Sequence, residues 1–108
     1  MADIPQTTVD QLPGDAVILD VREDDEWQAG HIEGVKHIPI AEVPQRLDEV
    51  PDADPIYVFC RSGGRSSRVT GWLNENGLNA VNVDGGMKAW ESAGKPMVTD
   101  DGSAPSVI

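Results

Sequence analysis

The stretch PIYVFCRSGGRSSRVTGWLNEN, residues 55–76, decides the fold. Its first part, Pro55–Cys60, is a continuous apolar run of β-branched and aromatic side chains, which predicts a buried strand. The paired glycines that follow favour a turn. Arg65–Asn76 then places apolar side chains at helical spacing and ends before Gly77, a residue typical of helix ends. The stretch is therefore predicted to be a strand, a loop and a helix, with Cys60 at the carboxyl end of the strand.

Shorter elements of the same two kinds lie on both sides of this stretch. Strands are predicted at Ala16–Val21, Val35–Ile38 and Ala80–Val83, and helices at Glu23–Ala29, Ala41–Val50 and Met87–Ala93. Their alternation predicts an α/β architecture in which a central parallel sheet is flanked by helices on both faces. Residues 1–108 are expected to form a single domain with its core at about 8–97, and 98–108 to be a loose C-terminal tail.

The charge of the chain is large and unevenly distributed. The 108 residues carry 8 Lys+Arg and 19 Asp+Glu, a formal net charge of −11. This excess argues against nucleic acid or an anionic membrane surface as a partner. Residues 1–54 hold 14 of the acids and three of the bases, and no acid occurs between Pro55 and Asn74, where Arg61, Arg65 and Arg68 lie. Cys60 therefore lies in a basic segment of an acidic protein.

The chain contains a single cysteine, Cys60, so no internal disulfide and no cysteine-based metal cluster can form. The two histidines, His31 and His37, stand apart from any set of residues with metal-ligand spacing, and we expect neither a metal nor another cofactor. The sequence begins without a secretory signal and has no apolar run of the roughly 20 residues that span a bilayer. We therefore expect a cytoplasmic protein, independent of membranes, with a reduced thiol.

The loop after Cys60 suits a reactive thiol. Gly63 and Gly64 permit backbone conformations in which successive N–H groups turn toward a common centre. The helix that follows adds the unpaired N–H groups and the positive dipole of its first turn. Such donors and the nearby arginines favour a thiolate, and they can also hold an oxyanion beside it. The combination indicates a catalytic, anion-binding cysteine rather than a buried structural one.

Four patches of the sequence together resemble the single-domain rhodaneses, the thiosulfate sulfurtransferase family, which has an α/β fold. They are LDVR at residues 19–22, EWQAGHIEG at 26–34, the loop CRSGGRS at 60–66 and DGGMKAW at 84–90. The patches occur in the order found in the family, and the resemblance spans about residues 16–97.

The resemblance implies a role for each residue of the loop. Cys60 is then the nucleophile that takes up sulfane sulfur as a persulfide, while Asp20 and Arg22 have a supporting role. Substrate binding is assigned to the residues that follow the nucleophile: Arg61, Ser62, Gly63, Gly64, Arg65 and Ser66. The implied partners are a small anionic sulfur donor such as thiosulfate and an acceptor such as cyanide, a low-molecular-weight thiol or a thioredoxin-like protein. We expect a monomer or a weak homodimer.

Two alternatives share this fold. Cysteine-dependent phosphatases and arsenate reductases resemble it but use a loop longer by one residue, with arginine at Cys-x5-Arg. Here Arg65 gives Cys-x4-Arg, Ser66 occupies the next position, and Phe59 precedes the nucleophile where those phosphatases typically have histidine. Loop length therefore favours sulfur over phosphate. A persulfide relay or a binding module for a protein partner stays open, because it would use the same loop.

Overall fold

The computed structural model describes residues 4–108, which contain five short strands, three α-helices and two 3₁₀ segments. The strands are β1 Gln6–Thr8, β2 Ile18–Asp20, β3 Lys36–His37, β4 Ile56–Phe59 and β5 Ala80–Asp84. The α-helices are α1 Asp24–Ala29, α2 Gly64–Glu75 and α3 Gly86–Ser92, and the 3₁₀ segments are Val9–Gln11 and Ile40–Glu49. None of the helices among these residues is long and apolar enough to cross a membrane.

The five strands form one parallel sheet in the order β1-β5-β4-β2-β3. β4 lies at its centre, paired with β2 on one side and β5 on the other. This arrangement confirms the predicted α/β class. Because all strands run in the same direction, the loops that follow β2, β4 and β5 meet at the carboxyl edge of the sheet, where ligands bind in open α/β folds.

Side chains of β4 alternate between two cores, as the period of a strand requires. Ile56, Val58 and Cys60 belong to a buried cluster that also contains Val69 of α2 and Val43 of the second 3₁₀ segment. The intervening β4 side chains pack on the opposite face against α3 and the first 3₁₀ segment. The alternation aims the thiol of Cys60 at the face that α2 covers.

The predicted elements differ from the structure in two places. β1 was not expected, although it pairs in parallel with β5 and carries the sheet beyond the predicted core boundary at residue 8. The predicted helix Ala41–Val50 is instead a 3₁₀ segment with a kink at Arg46. Pro44 lies inside this segment and has no backbone N–H to donate, which explains why a regular α-helix does not form there.

Residues 98–108 are not the loose tail that the sequence predicts. The N–H of His31 donates to the carbonyl of Val98 at 3.0 Å, and the N–H of Val98 donates back at 2.8 Å. The N–H of Ser106 donates to the last carbonyl of α1 at 2.8 Å. A Cβ at Gly30 would lie 2.7 Å from the backbone of Ser106, so the glycine permits this close approach. The segment is held by contacts with residues far away in sequence.

Candidate active site

Cys60 follows β4 at the carboxyl edge of the sheet, and only 1% of its surface is exposed. The loop it opens turns at Gly63, whose φ of +116° lies in the left-handed region that favours glycine, and enters α2 at Gly64. This is the strand, loop and helix that residues 55–76 predict. The geometry points the first turn of α2 at the sulfur.

Donors of the loop surround the sulfur of Cys60. The N–H of Gly63 lies 3.1 Å from Sγ, and the hydroxyl of Ser66 lies 3.3 Å from it. Burial raises the pKa of the Cys60 thiol, but the hydrogen bonds from the Ser66 hydroxyl and from the N–H groups of Ser66, Gly63 and Ser62 outweigh it. The pKa therefore lies below its ordinary value. Donors that bind a thiolate more strongly than a thiol favour the nucleophilic form.

The start of α3 holds the other side of the loop. The N–H of Met87 donates to the Cys60 carbonyl at 2.9 Å, and that of Lys88 donates to the Arg61 carbonyl at 2.9 Å. A Cβ at Gly86 would lie 2.4 Å from the Cys60 carbonyl oxygen, so a larger residue cannot occupy this position without displacing the loop. Gly85 and Gly86 both have a positive φ, +82° and +50°. Because these glycines have no side chain, α3 comes close enough to bond the carbonyls of Cys60 and Arg61 on the side away from the sulfur. The N–H groups of the loop are then left to face the sulfur.

Arg65 lies in the first turn of α2, and its guanidinium group is paired with Glu26 of α1. Its Nη1 and Nη2 atoms lie 2.6 and 2.8 Å from the two carboxylate oxygens. The hydrogen bonds from Arg65 lower the pKa of Glu26 from 4.5 to about 2 and raise the pKa of Arg65 above its ordinary value. Sequence reasoning missed Glu26, because acids in a helix first turn need no other explanation. Although the sequence between Pro55 and Asn74 contains no acid, Glu26 of α1 therefore lies beside Arg65 in the folded protein.

A buried ion pair under α1 supports Glu26 in turn. Arg22 is fully buried, and its Nη2 atom lies 2.8 Å from a carboxylate oxygen of Asp20. The guanidinium group also donates to the backbone carbonyls of Glu26 at 3.2 Å and Gly30 at 2.8 Å. Asp20 and Arg22 do not contact Cys60 through any of these bonds. They fix the helix that carries the partner of Arg65.

The remaining predicted site residues lie around the loop, and their side chains make no hydrogen bond to the sulfur. The side chain of Arg61 donates from Nε to the carbonyl of Ile108 at 2.9 Å, so the C-terminal segment reaches the edge of the loop. Ser62 is exposed, and its carbonyl accepts the N–H of Gly85 at 3.2 Å. Gly64 is exposed at the first position of α2. The structure thus brings Gly63 and Ser66 into direct contact with the sulfur and places Arg61 at the rim.

The two histidines take part in packing beside α1. The rings of His31 and His37 each stack on Trp27, with centroids 3.8 and 4.6 Å from the indole. A ring nitrogen of His31 lies 2.8 Å from the Trp27 carbonyl, and one of His37 lies 2.7 Å from the Arg22 carbonyl. Among residues 4–108, no group of three side chains is placed to hold a metal ion.

Comparison with known proteins agrees with this geometry. Residues 5–93 match the family described as Rhodanese-like domain. The chain is 46% identical over 80 residues to a putative sulfurtransferase, YtwF, of Bacillus subtilis, which covers 73% of this chain and 77% of that protein. It is 36% identical over 80 residues to thiosulfate sulfurtransferase GlpE of Pseudoalteromonas translucida, covering 73% of this chain and 76% of that protein. The crystal structure of a rhodanese-related protein from Thermoplasma volcanium superimposes with a TM-score of 0.74 at 34% identity, covering 79% of this chain and 85% of that one. The chain belongs to the rhodanese-like domain family.

Proposed function

We propose that this protein is a thiosulfate-type sulfurtransferase that carries sulfane sulfur as a persulfide on Cys60. The observation that carries the proposal is the set of donors on Sγ, the Gly63 N–H at 3.1 Å and the Ser66 hydroxyl at 3.3 Å. Sulfur transfer as a general activity agrees with the sulfurtransferase names of the relatives. Thiosulfate as the donor is supported by the name of one relative and by the small loop.

In the first half-reaction the Cys60 thiolate attacks the outer sulfur of thiosulfate. A bond forms between Sγ and that sulfur, the sulfur–sulfur bond of thiosulfate breaks, and sulfite leaves with the electron pair. The negative charge then resides on the outer persulfide sulfur. The loop N–H groups and the first turn of α2 stabilise negative charge at the loop in both states, in a site that excludes most water.

In the second half-reaction an acceptor nucleophile attacks the outer sulfur of the persulfide. With cyanide the product is thiocyanate, and with a thiolate it is a persulfide of the acceptor. The bond between Sγ and the outer sulfur breaks, and its electrons return to Sγ, which regenerates the Cys60 thiolate. Because the chain has one cysteine, the acceptor comes from outside it.

The surroundings of Arg65 bear on the phosphatase alternative. Two of the five guanidinium N–H groups bond Glu26, so a charged carboxylate already occupies one of the two edges of the guanidinium that could make a bidentate contact with phosphate. Attack on a phosphate has to occur at its central phosphorus, so the whole tetrahedron would have to enter a loop shorter by one residue, whereas only the outer sulfur of thiosulfate has to reach Sγ. A single sulfane sulfur needs neither the room nor the bidentate contact. This favours sulfur transfer over phosphate or arsenate chemistry.

Intact-mass measurement tests the proposal directly. We expect incubation with thiosulfate to add one sulfur atom to the wild-type protein, and subsequent cyanide to remove it with release of thiocyanate. Cys60→Ser is the matched control and should gain nothing. No addition to the wild type, or the same addition to Cys60→Ser, would refute the proposal. Faster hydrolysis of aryl phosphates than sulfur transfer would replace it with the phosphatase alternative.

The same measurement separates a free enzyme from a relay. If the persulfide forms but cyanide and small thiols discharge it slowly while reduced thioredoxin discharges it quickly, a protein acceptor is the partner. A cytoplasmic location agrees with this chemistry, because the chain's single thiol has to stay reduced between turnovers.

A further inference from the structure

An open cleft lies between α2 and the second 3₁₀ segment. Its volume is about 290 Å³, just below the roughly 300–1,000 Å³ typical of sites that hold small molecules. Five of its six lining side chains are apolar and the sixth is a guanidinium group: Ile40, Val43, Pro44, Val69, Trp72 and Arg68. Apolar walls with one charged group are the usual composition of a small-molecule site.

This cleft lies on the face of the sheet toward which the thiol of Cys60 points. The N–H of Ile40 donates to the Val21 carbonyl, and the N–H of Val21 donates to the carbonyl of Phe59, the residue before Cys60, both at 3.0 Å. Two strand spacings separate Ile40 from Phe59, which is about 10 Å. Val43 and Val69 share a buried cluster with Cys60 itself. A molecule of modest length is therefore long enough to span the separation between the loop and the cleft.

The side of α2 that lines the cleft is the side on which Arg65 lies. Arg65 and Arg68 precede Val69 and Trp72, respectively, by four residues, and these two pairs are offset from each other by three, so all four lie along one side of the helix. Arg65 is paired with Glu26, whereas Arg68 is exposed and makes no ion pair or side-chain hydrogen bond within residues 4–108. An uncompensated guanidinium beside apolar walls is suited to a carboxylate.

We propose that this cleft binds the sulfur acceptor, and that the acceptor is a small thiol whose carboxylate is separated from the sulfur by an apolar chain. The inference rests on the proposed function, since it names the acceptor class for the second half-reaction. The apolar chain lies against Val43 and Trp72, and the carboxylate pairs with Arg68. The net charge of −11 disfavours an acidic protein at this surface, and the cleft volume fits a small molecule.

The transfer step needs no further reagent. The acceptor thiolate attacks the outer sulfur of the Cys60 persulfide, and a new sulfur–sulfur bond forms on the acceptor. The bond between Sγ and the outer sulfur breaks with its electrons going to Sγ. The acceptor leaves as a persulfide, and the enzyme returns to the thiolate without a change in total oxidation state.

The test compares two acceptors that differ only at the end remote from sulfur. Wild-type protein is loaded with thiosulfate, freed of excess donor, and mixed with mercaptohexanoate or mercaptohexanol. Loss of the added sulfur is followed by intact mass at a series of acceptor concentrations. We expect mercaptohexanoate to discharge the persulfide with about tenfold higher efficiency at low concentration, equivalent to about 1.4 kcal/mol of binding.

Arg68→Gln should abolish this preference and leave discharge by mercaptohexanol unchanged. Arg68→Lys should retain part of it, because a charge without the planar fork remains. Lys95→Gln is the matched control, since Lys95 lies over the ring of Trp90, away from the cleft. It removes the same charge from the protein and should leave the preference intact.

Three results would overturn the proposal. Equal efficiencies of the two acceptors with wild type would exclude a carboxylate contact, and an equal loss of preference in Lys95→Gln would reduce it to bulk charge. A response to Arg68→Gln seen only with reduced thioredoxin would assign the cleft to a protein acceptor. Failure of the wild type to load with sulfur is distinguishable from all of these, because it refutes the proposed function at the first half-reaction.

Discussion

Replacing Ser66 by alanine should make the thiolate of Cys60 less stable relative to the thiol, and the size of this effect can be calculated from one hydrogen bond. The Ser66 hydroxyl lies 3.3 Å from Sγ, and both residues are buried, so no water takes the place of the missing donor. A hydrogen bond to a charged group contributes about 1.5–3 kcal/mol, and each 1.36 kcal/mol corresponds to a tenfold change in a protonation equilibrium. The N–H of Gly63 still donates to Sγ in the variant, so the energy lost should lie at the lower end of that range, about 1.5 kcal/mol. The pKa of Cys60 should therefore rise, and the thiolate-to-thiol ratio should fall about tenfold at any pH below it.

The pH dependence of alkylation by iodoacetamide measures this change, with the ultraviolet absorbance of the thiolate as a second readout. The alkylation profile of Ser66→Ala should move to higher pH, and thiosulfate loading at neutral pH should slow by a similar factor. Ser67→Ala is the matched control, since Ser67 is the next residue of α2 and its hydroxyl makes no bond to Sγ. Coincident profiles for Ser66→Ala and wild type would show that the hydroxyl does not stabilise the thiolate.

Three further predictions concern the supports of the loop. Glu26→Gln should lower the free energy of unfolding by about 1–2 kcal/mol at neutral pH. The pKa of Glu26 is depressed from 4.5 to about 2, so the stability that its ionised carboxylate contributes is complete above pH 4.5 and is lost as the pH falls toward 2. The free energies of unfolding of Glu26→Gln and the wild type, measured by denaturant titration, should therefore converge over that interval. A difference that stays constant with pH would contradict the ion pair. Gly86→Ala should destabilise the protein by about 2 kcal/mol or more, since its Cβ would lie 2.4 Å from the carbonyl oxygen of the single cysteine. Gly94 also has a positive φ but has open space around it, so Gly94→Ala measures the backbone strain without the clash. Equal losses of stability in the two variants would show that the clash contributes nothing. Asp20→Asn should cost about 3–5 kcal/mol by leaving the buried Arg22 unpaired, and a thermal midpoint equal to that of the wild type would show that the pair is dispensable.

The centre of the fold and of the site was predictable because its signals are local. The apolar run of β4, the glycines of the loop and the spacing of α2 lie within residues 55–76, and each has a direct physical meaning. The position of Ser66, six residues after Cys60 in the first turn of the helix, also follows from that stretch. Sequence reasoning therefore placed Cys60 at the end of its strand with loop N–H groups turned toward it, whereas the hydrogen bond from the Ser66 hydroxyl is seen only in the structure.

Contacts between distant segments were not predictable in the same way. Glu26 and Arg65 are separated by 39 residues, and the acid has a sufficient local explanation at the start of α1. β1 has only three residues, too few for an alternation pattern, and its pairing with β5 joins opposite ends of the chain. The segment after residue 98 is polar and short of apolar side chains, yet its backbone is held by His31 and by the end of α1. In each of these three cases the conformation of a segment depends on the distant residues that it contacts, and these cannot be read from the segment's own sequence.

The pairing of Glu26 with Arg65 changes what the basic segment does. A net positive charge beside Cys60 would attract any anion and would weaken with salt, whereas the ion pair makes this part of the site almost neutral. Stabilisation of the thiolate then depends on buried dipoles, the N–H of Gly63 and the hydroxyl of Ser66, which salt screens little. Near the loop, the positive charges without an ion-pair partner among residues 4–108 lie at Arg61, on the rim of the loop, and one helical turn beyond Arg65 at Arg68, beside the apolar cleft. The separation lets the loop stabilise sulfur in either half-reaction while Arg68 selects among acceptors, so a change at one position need not alter the other.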